Sequence, residues 1–168
     1  MPRNVLQAEI KKRRPFSQPG EEAYLNLLRT ESMLSAHFES LFKRHRLTGP
    51  KYNVLRILRG AKMNGEQALP CLEVAERMIT RVPDITRLVD RLVTRGLVAR
   101  RKSSEDRRVV WVSITTAGLK ALEALDRPTR SVLQQALGHL TTGELSQLSR
   151  LLEKARHAPD QPESGSAN

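Results

Sequence analysis

The hydrophobic residues between Asp84 and Leu92 recur at the spacing of one helical face, which predicts an amphipathic helix. The apolar positions are Ile85, Leu88, Val89 and Leu92, and the opposite face carries Asp84, Arg87 and Arg91. Guanidinium groups match both phosphates and guanine edges, so such a helix is well shaped to enter a DNA major groove. For one helix considered alone, a solvated basic face is the simpler interpretation.

A basic hairpin is predicted directly after this helix. Gly96 is placed to end the helix, and the apolar runs Leu97–Ala99 and Val109–Ile114 flank a turn at Ser103–Asp106. Five cations surround its tip: Arg100, Arg101, Lys102, Arg107 and Arg108. Like charges repel, so a plain surface hairpin rarely collects so many unless an anion neutralises them. We therefore interpret the hairpin as a wing.

The remaining pattern predicts helices, so the expected fold class is mainly α with a small β-hairpin wing. Leucine and phenylalanine recurrence predicts a helix over about 21–45. A second helix, capped by Thr48, is expected to end at Gly60 before a loop over 61–69. Pro70 is expected to begin a short helix, the first of a helix-turn-helix pair, which braces the arginine-bearing helix.

The two ends of the chain are predicted separately. Thr115 is expected to cap a long helical stretch in which Pro128 introduces a kink or a short break. Thr141 and Glu144 have the spacing of a capping box, which opens a last leucine-rich helix. Residues 1–20 are expected to be a flexible basic arm, with or without a role at DNA, and residues 158–168 a disordered tail.

Composition favours a polyanionic partner. The 168 residues carry a formal net charge of +11, and only 4% of them are aromatic, which leaves few stacking platforms for single strands. Duplex DNA fits better than single-stranded nucleic acid. A single cysteine, Cys71, suits a reducing cytoplasm, and neither an apolar run of membrane-spanning length nor a secretory signal is found. We expect a soluble cytoplasmic protein.

Catalysis is poorly supported by the sequence. Phosphate-binding glycine loops, nucleophile elbows and zinc-protease motifs are all missing, so no enzyme activity is expected. The histidines lack metal-ligand spacing, and no metal or other cofactor is expected; they are His37, His45, His139 and His157.

Five segments together resemble the MarR family of bacterial transcriptional regulators: Leu47-Thr48, Thr86–Leu92, Gly96–Val98, Asp106–Arg108 and Ile114–Gly118. The resemblance covers residues 21–157. It implies a winged helix-turn-helix fused to an α-helical dimerisation region. The dimerisation helices would span about 21–45 and 116–157, and the DNA-reading lobe about 48–115. In one departure, Thr80–Pro83 replaces the usual cap and polar residues, with Pro83 tolerated in a first helical turn.

Candidate DNA contacts follow from side-chain chemistry and from this resemblance. Base edges and nearby phosphates are assigned to Thr80, Arg81, Asp84, Thr86 and Arg87, and a phosphate to Arg91. The resemblance assigns Arg107 to the minor groove and pairs Asp106 with a neighbouring arginine. Arg101, Lys102 and Arg108 would then follow the DNA backbone.

Regulation is predicted only by the resemblance, which implies a response to small aromatic acids or oxidants. A crevice between the dimer helices and the DNA-reading lobe would take a small aromatic or anionic effector, with candidate lining residues Met33, His37, Phe38, His45 and Trp111. Plain core or surface is the simpler interpretation of each of these residues. Cys71 has no basic neighbour in sequence, which favours a structural thiol over a peroxide sensor.

Two functions from different classes are consistent with the sequence. The first is a homodimeric regulator, a repressor, which binds a pseudo-palindromic operator through two recognition helices about 34 Å apart. The arginine-bearing wing and the asymmetric recognition helix favour this function, and leucine-rich helices at both ends of the chain favour the homodimer, since one chain would leave part of their apolar surface wet. The second is a non-specific architectural DNA- or RNA-binding protein without a regulatory ligand.

Overall fold

The fold consists of seven helices and one small sheet within the part that the computed structural model describes, residues 5–106 and 108–157. The helices are α1 (Val5–Glu9), α2 (Pro19–Arg44), α3 (Gly49–Met63), α4 (Cys71–Glu76), α5 (Ile85–Thr94), α6 (Thr116–Leu137) and α7 (Thr142–Arg156). The strands are β1 (Leu69–Pro70), β2 (Val98–Lys102) and β3 (Val110–Ile114). The chain divides into a larger unit that ends at Val132 and a smaller one that begins at Leu133.

The sheet is antiparallel, with β3 between β1 and β2. Strands β2 and β3 pair from Val98 opposite Ile114 to Lys102 opposite Val110, which confirms the predicted hairpin. Strand β1 was not predicted: it pairs Leu69, the last residue of the expected loop, with Val112, and Pro70, the expected first residue of a helix, with Trp111. Helix α4 begins one residue later, at Cys71. Two residues are too few for an alternating pattern to be visible in sequence.

The core of the larger unit lies between α3, α5, the sheet and the first half of α6. Its fully buried side chains include Val54, Leu55, Val74, Val89, Leu92, Val112, Leu122 and Leu125. Arg59 on α3 also reaches Asp126 on α6 through two hydrogen bonds of 2.8 Å. These contacts hold α5 and the hairpin against α3 and α6.

Helix α3 continues past Gly60, so the predicted end of this helix is wrong. It ends after Met63, where Gly65 takes φ +91°, and the amide of Glu66 donates to the carbonyl of Ala61 at 3.0 Å. A left-handed residue at this position is the usual helix terminator, and glycine adopts it without a Cβ penalty. The glycine that ends α3 is therefore Gly65 and not Gly60.

Residues 5–20 do not form the predicted arm. Helix α1 buries Leu6, which is 3% exposed, and Glu9 accepts a hydrogen bond from Arg29 on α2 at 2.8 Å. Lys12 pairs with Glu21 at 3.4 Å. Burial of one leucine and two ion pairs thus fasten this segment to α2, a pattern too short to be read from periodicity.

The C-terminal predictions have different outcomes. Thr115 caps α6 by accepting from the amide of Gly118 at 3.1 Å, as expected. Helix α6 continues through Pro128, so a break there is wrong, and a kink stays a prediction; a proline removes only one helical hydrogen bond. The capping box of Thr141 and Glu144 is confirmed in both directions. The predicted tail, 158–168, lies outside the described residues.

Candidate nucleic-acid interface

Helix α5 presents an apolar face to the protein and a polar face to solvent. Val89 and Leu92 are buried, and Ile85 and Leu88 pack partly buried against the same core. The exposed side carries Thr86, Arg87 and Arg91. The predicted amphipathic helix is confirmed, and its anchoring by apolar contacts leaves the arginines free to meet a ligand.

The start of α5 differs from the prediction. Asp84 is the N-cap, with extended backbone and a carboxylate that accepts from the Arg87 amide at 2.8 Å, so the first helical residue is Ile85. Pro83 therefore precedes the cap instead of lying in the first turn. Thr80 and Arg81 are exposed in the segment before the helix. An aspartate cap satisfies an amide that would otherwise lack a partner, which fixes the helix start more strongly than a proline does.

The end of α5 is fastened to its neighbours on two sides. Gly96 has φ +68°, and the Leu97 amide donates to the Leu92 carbonyl at 3.0 Å, as in a Schellman motif. From the α6 side, the Thr115 hydroxyl donates to the Gly96 carbonyl at 2.7 Å. From the α2 side, the carbonyl of Arg46 accepts from the guanidinium of Arg95. These contacts fix the C-terminal end of α5.

The wing tip is shaped by short polar contacts. The Ser103 hydroxyl accepts from the amide of Glu105 at 3.2 Å, and the Asp106 carboxylate accepts from the Arg108 amide at 2.8 Å. The contact found for Asp106 in the described part is thus with backbone, whereas the prediction was an arginine side chain. Arg107, the predicted minor-groove residue, lies outside the described residues.

Exposed cations line the recognition helix and the wing without partners of their own. Within the described residues, no ion pair is formed by Arg81, Arg87, Arg91, Arg101, Lys102 or Arg108. Unpaired like charges on one lobe repel one another in the free protein. They make binding of a polyanion such as duplex DNA favourable through release of its counterions.

Arg100 is different from these cations, and it is not among the predicted DNA contacts. Its guanidinium pairs with Asp90 on α5, and its neighbour Arg101 lies opposite Trp111 on the other face of the sheet. Successive residues of a strand lie on opposite faces of the sheet, so the sequence alone places Arg100 and Arg101 on different faces. Which of the two pairs with a carboxylate is seen only from the packing of α5 on the sheet.

The five candidate effector residues are not brought together in a described cavity. Met33 lines a cavity of about 420 Å³ between α1 and α2, with Leu6, Ile10, Leu25, Leu28, Arg29 and Ser32. Phe38 stacks on Phe42 at 5.8 Å, and His45 is the C-cap of α2. His37 is exposed on α2, and Trp111 lies in β3. The predicted crevice, which would lie between the dimer helices and the DNA-reading lobe, stays a prediction.

Cys71 opens α4 beside the recognition helix. Its thiol is partly buried, and burial raises its pKa above the ordinary value, while a hydrogen bond with Thr86 acts in the opposite direction. A raised pKa keeps the thiol protonated and poorly nucleophilic, which favours the structural interpretation. Among the described residues, histidine, cysteine and carboxylate side chains form no cluster that would hold a metal ion.

Helix α4, the turn, helix α5 and the two-stranded wing together define a winged helix-turn-helix, a class of DNA-binding fold. A model of the MarR family matches residues 47–110. The HTH-type transcriptional repressor IacR of Pseudomonas putida is 34% identical over 131 residues, which cover 78% of this chain and 75% of that protein.

Two further relatives agree. The HTH-type transcriptional repressor MdtR of Bacillus subtilis (strain 168) is 30% identical over 109 residues, 65% of this chain and 69% of that protein. The crystal structure of a MarR transcription factor from Planctomyces limnophilus has a TM-score of 0.65 and 43% identity, covering 83% of this chain and 98% of that one. The chain belongs to the MarR family of transcriptional regulators. None of the described helices has the length and hydrophobicity to cross a bilayer.

Proposed function

We propose that the protein is a cytoplasmic repressor that binds a pseudo-palindromic operator as a homodimer and responds to a small effector. The observation that carries the proposal is the set of exposed cations on α5 and the wing that form no ion pair within the described residues. Val89 and Leu92 anchor α5 to a packed core. The relatives named as repressors support the sign of regulation.

In this proposal, α5 enters the major groove. Thr86 and Arg87 in its first turns face the bases, and Arg91, one turn further on, meets a phosphate. Thr80, Arg81 and Asp84 lie at the entrance to the helix, where Asp84 contributes chiefly by capping it. Arg101, Lys102, Asp106, Arg107 and Arg108 form the wing contact.

The homodimer is supported by apolar surface that the single chain leaves exposed. Helix α7 has no buried residue, and its leucines are among the exposed ones: Leu148 is 40% exposed and Leu151 is 52% exposed. On α2, Leu27 is 47% and Leu28 is 45% exposed. Exposed leucine stripes of this kind mark interfaces, and a two-fold dimer would present two α5 helices to successive turns of DNA. Sedimentation that gives a monomer at micromolar concentration would contradict this part.

The effector is supported by family membership alone, and we propose a small aromatic or anionic molecule. Release of a bound duplex on addition of small aromatic acids, followed by fluorescence anisotropy, tests it. Retention of the duplex across such a panel would count against this effector class.

The experiment for the whole proposal is a competition gel shift. The DNA directly upstream of the protein's own gene competes with random duplex of equal length and equal salt. We expect the upstream duplex to bind tighter by a factor of about 10³ or more. Equal affinities would favour the non-specific architectural protein instead.

One substitution tests the wing contact. Lys102 is exposed, stands opposite Val110 and has no ion-pair partner within the described chain. We expect Lys102→Ala to weaken binding to all duplexes alike and to lower the slope of log K against log salt by about one. An unchanged slope would mean that this strand does not touch DNA.

A further inference from the structure

An ion pair joins the wing directly to the recognition helix. Arg100 of β2 contacts Asp90 of α5 through a guanidinium nitrogen and a carboxylate oxygen. Arg100 is two residues beyond the buried Val98, so both lie on the sheet face that packs against α5. The position of Arg100 in strand β2 therefore directs its side chain toward α5.

Asp90 is unexpected on a helix that approaches DNA. Successive helical residues turn by about 100°, so Asp90 and Arg91 lie on opposite flanks of the exposed face of α5. A lone carboxylate there would repel phosphates. Paired with Arg100, it adds no net charge to the interface.

We propose that Arg100 is a positioning residue for DNA binding: it acts through Asp90 to fix the wing relative to the recognition helix and does not itself contact DNA. This inference rests on the proposed function. It separates Arg100 from the other wing cations, because Arg101 on the opposite sheet face and Lys102 nearer the tip pair with no carboxylate among the described residues.

The pair is about half exposed, 46% for Arg100 and 45% for Asp90, so it contributes little to the stability of the fold. Its loss should loosen the wing without unfolding the protein. DNA binding then becomes weaker, because the loosened wing must be ordered relative to α5 when it binds and this ordering costs free energy.

The two interpretations of Asp90 predict opposite signs. If Asp90 only faces phosphate, Asp90→Asn removes a repulsive charge, frees Arg100 for DNA and tightens binding. If Asp90 holds Arg100 in place, Asp90→Asn weakens binding although it makes the protein more positive. The sign of this effect is therefore the decisive observation.

The test is a set of anisotropy titrations with the upstream duplex at several salt concentrations. Arg100→Ala, Asp90→Asn and the double variant are compared, with Arg101→Ala as the matched control on the same strand. We expect each member of the pair to lose about tenfold in affinity, the double variant to lose no more, and the Arg100→Ala salt slope to stay unchanged. Arg100→Lys, which keeps the charge, should recover part of the loss, while Arg101→Ala should lower the slope by about one.

Tighter binding by Asp90→Asn, together with a slope lowered by about one in Arg100→Ala, would overturn the proposal. A DNA-free measurement tests the ion pair itself. Hydrogen exchange of the β2 amides should accelerate in Arg100→Ala and Asp90→Asn but not in Arg101→Ala, and unchanged exchange in both would also overturn it. Because hydrogen exchange needs no duplex, the ion pair can be tested even if the wild-type protein does not bind DNA. That failure to bind would contradict the proposed function alone.

Discussion

Gly118 lies where the first turn of α6 meets the corner between α5 and β2, and Gly118→Ala should destabilise the protein. A Cβ atom at this position would lie 2.2 Å from the Leu97 carbonyl oxygen and 2.8 Å from Cγ1 of Ile114. The first distance is 1.2 Å inside the 3.4 Å at which ordinary contact begins. The oxygen is backbone and also accepts from the Thr115 amide at 3.2 Å, so it has little freedom to retreat.

The magnitude follows from two opposing terms. Alanine within a helix normally gains about 0.5–1 kcal/mol over glycine, whereas overpacking against a fixed neighbour costs about 1–3 kcal/mol and occasionally more. Because the obstacle is backbone, the cost should lie near the upper end of its range, and we expect a net loss of about 2 kcal/mol. In a domain of this size that loss lowers Tm by about 4–8 °C.

Circular dichroism melting and urea unfolding measure the effect, and Gly60→Ala is the matched control. Gly60 also lies within a helix, yet its Cβ would meet nothing within 4 Å, so this variant should gain about 0.5–1 kcal/mol. Opposite signs at the two glycines are the expected result. If Gly118→Ala were as stable as Gly60→Ala, the close approach of α6 to the Leu97 carbonyl would be refuted.

Three further predictions concern stability. The hydrogen bonds from Arg59 hold the pKa of Asp126 below its ordinary value of 3.8. The stability that this pair adds to the folded protein is therefore fully present above pH 3.8 and is lost as the pH falls through the lowered pKa. Asp126→Asn should therefore cost about 1–2 kcal/mol at pH 7 and progressively less below pH 4, in melts at several pH values; a pH-independent difference would contradict the pairing. Arg46 has φ +56°, so Arg46→Gly should raise stability by about 0.5–1 kcal/mol in urea unfolding, and a lower midpoint would disprove strain at this residue. Thr141→Ala removes the cap of α7 and should cost about 1 kcal/mol by the same assay, whereas an unchanged midpoint would show that the cap is dispensable.

The recognition helix, the wing and the capping box were predictable because each is specified by residues close in sequence. Ile85, Leu88, Val89 and Leu92 set the buried face of α5 by spacing alone, and Thr141 and Glu144 satisfy one another three residues apart. Local chemistry of this kind needs no knowledge of the neighbouring elements.

The remainder depended on contacts between distant segments. The sequence does not show whether Gly60 or Gly65 takes the left-handed conformation, since both follow a helical pattern. The partnership of Arg100 with Asp90 requires the packing of α5 on the sheet. Likewise, the burial of Leu6 depends on α2, whose own pattern was read without reference to the first twenty residues.

If the exposed arginines of α5 read the sequence of duplex DNA, removing one of them should reduce the preference for the operator. This preference is the ratio of affinities for the upstream and random duplexes, measured by anisotropy for wild type, Arg87→Ala and Arg150→Ala. Arg150 is an exposed arginine on α7, and its loss should leave the ratio near the wild-type value of about 10³ or more. Arg87→Ala should lower the ratio by at least about tenfold, whereas equal ratios in all three proteins would show that Arg87 does not read the bases.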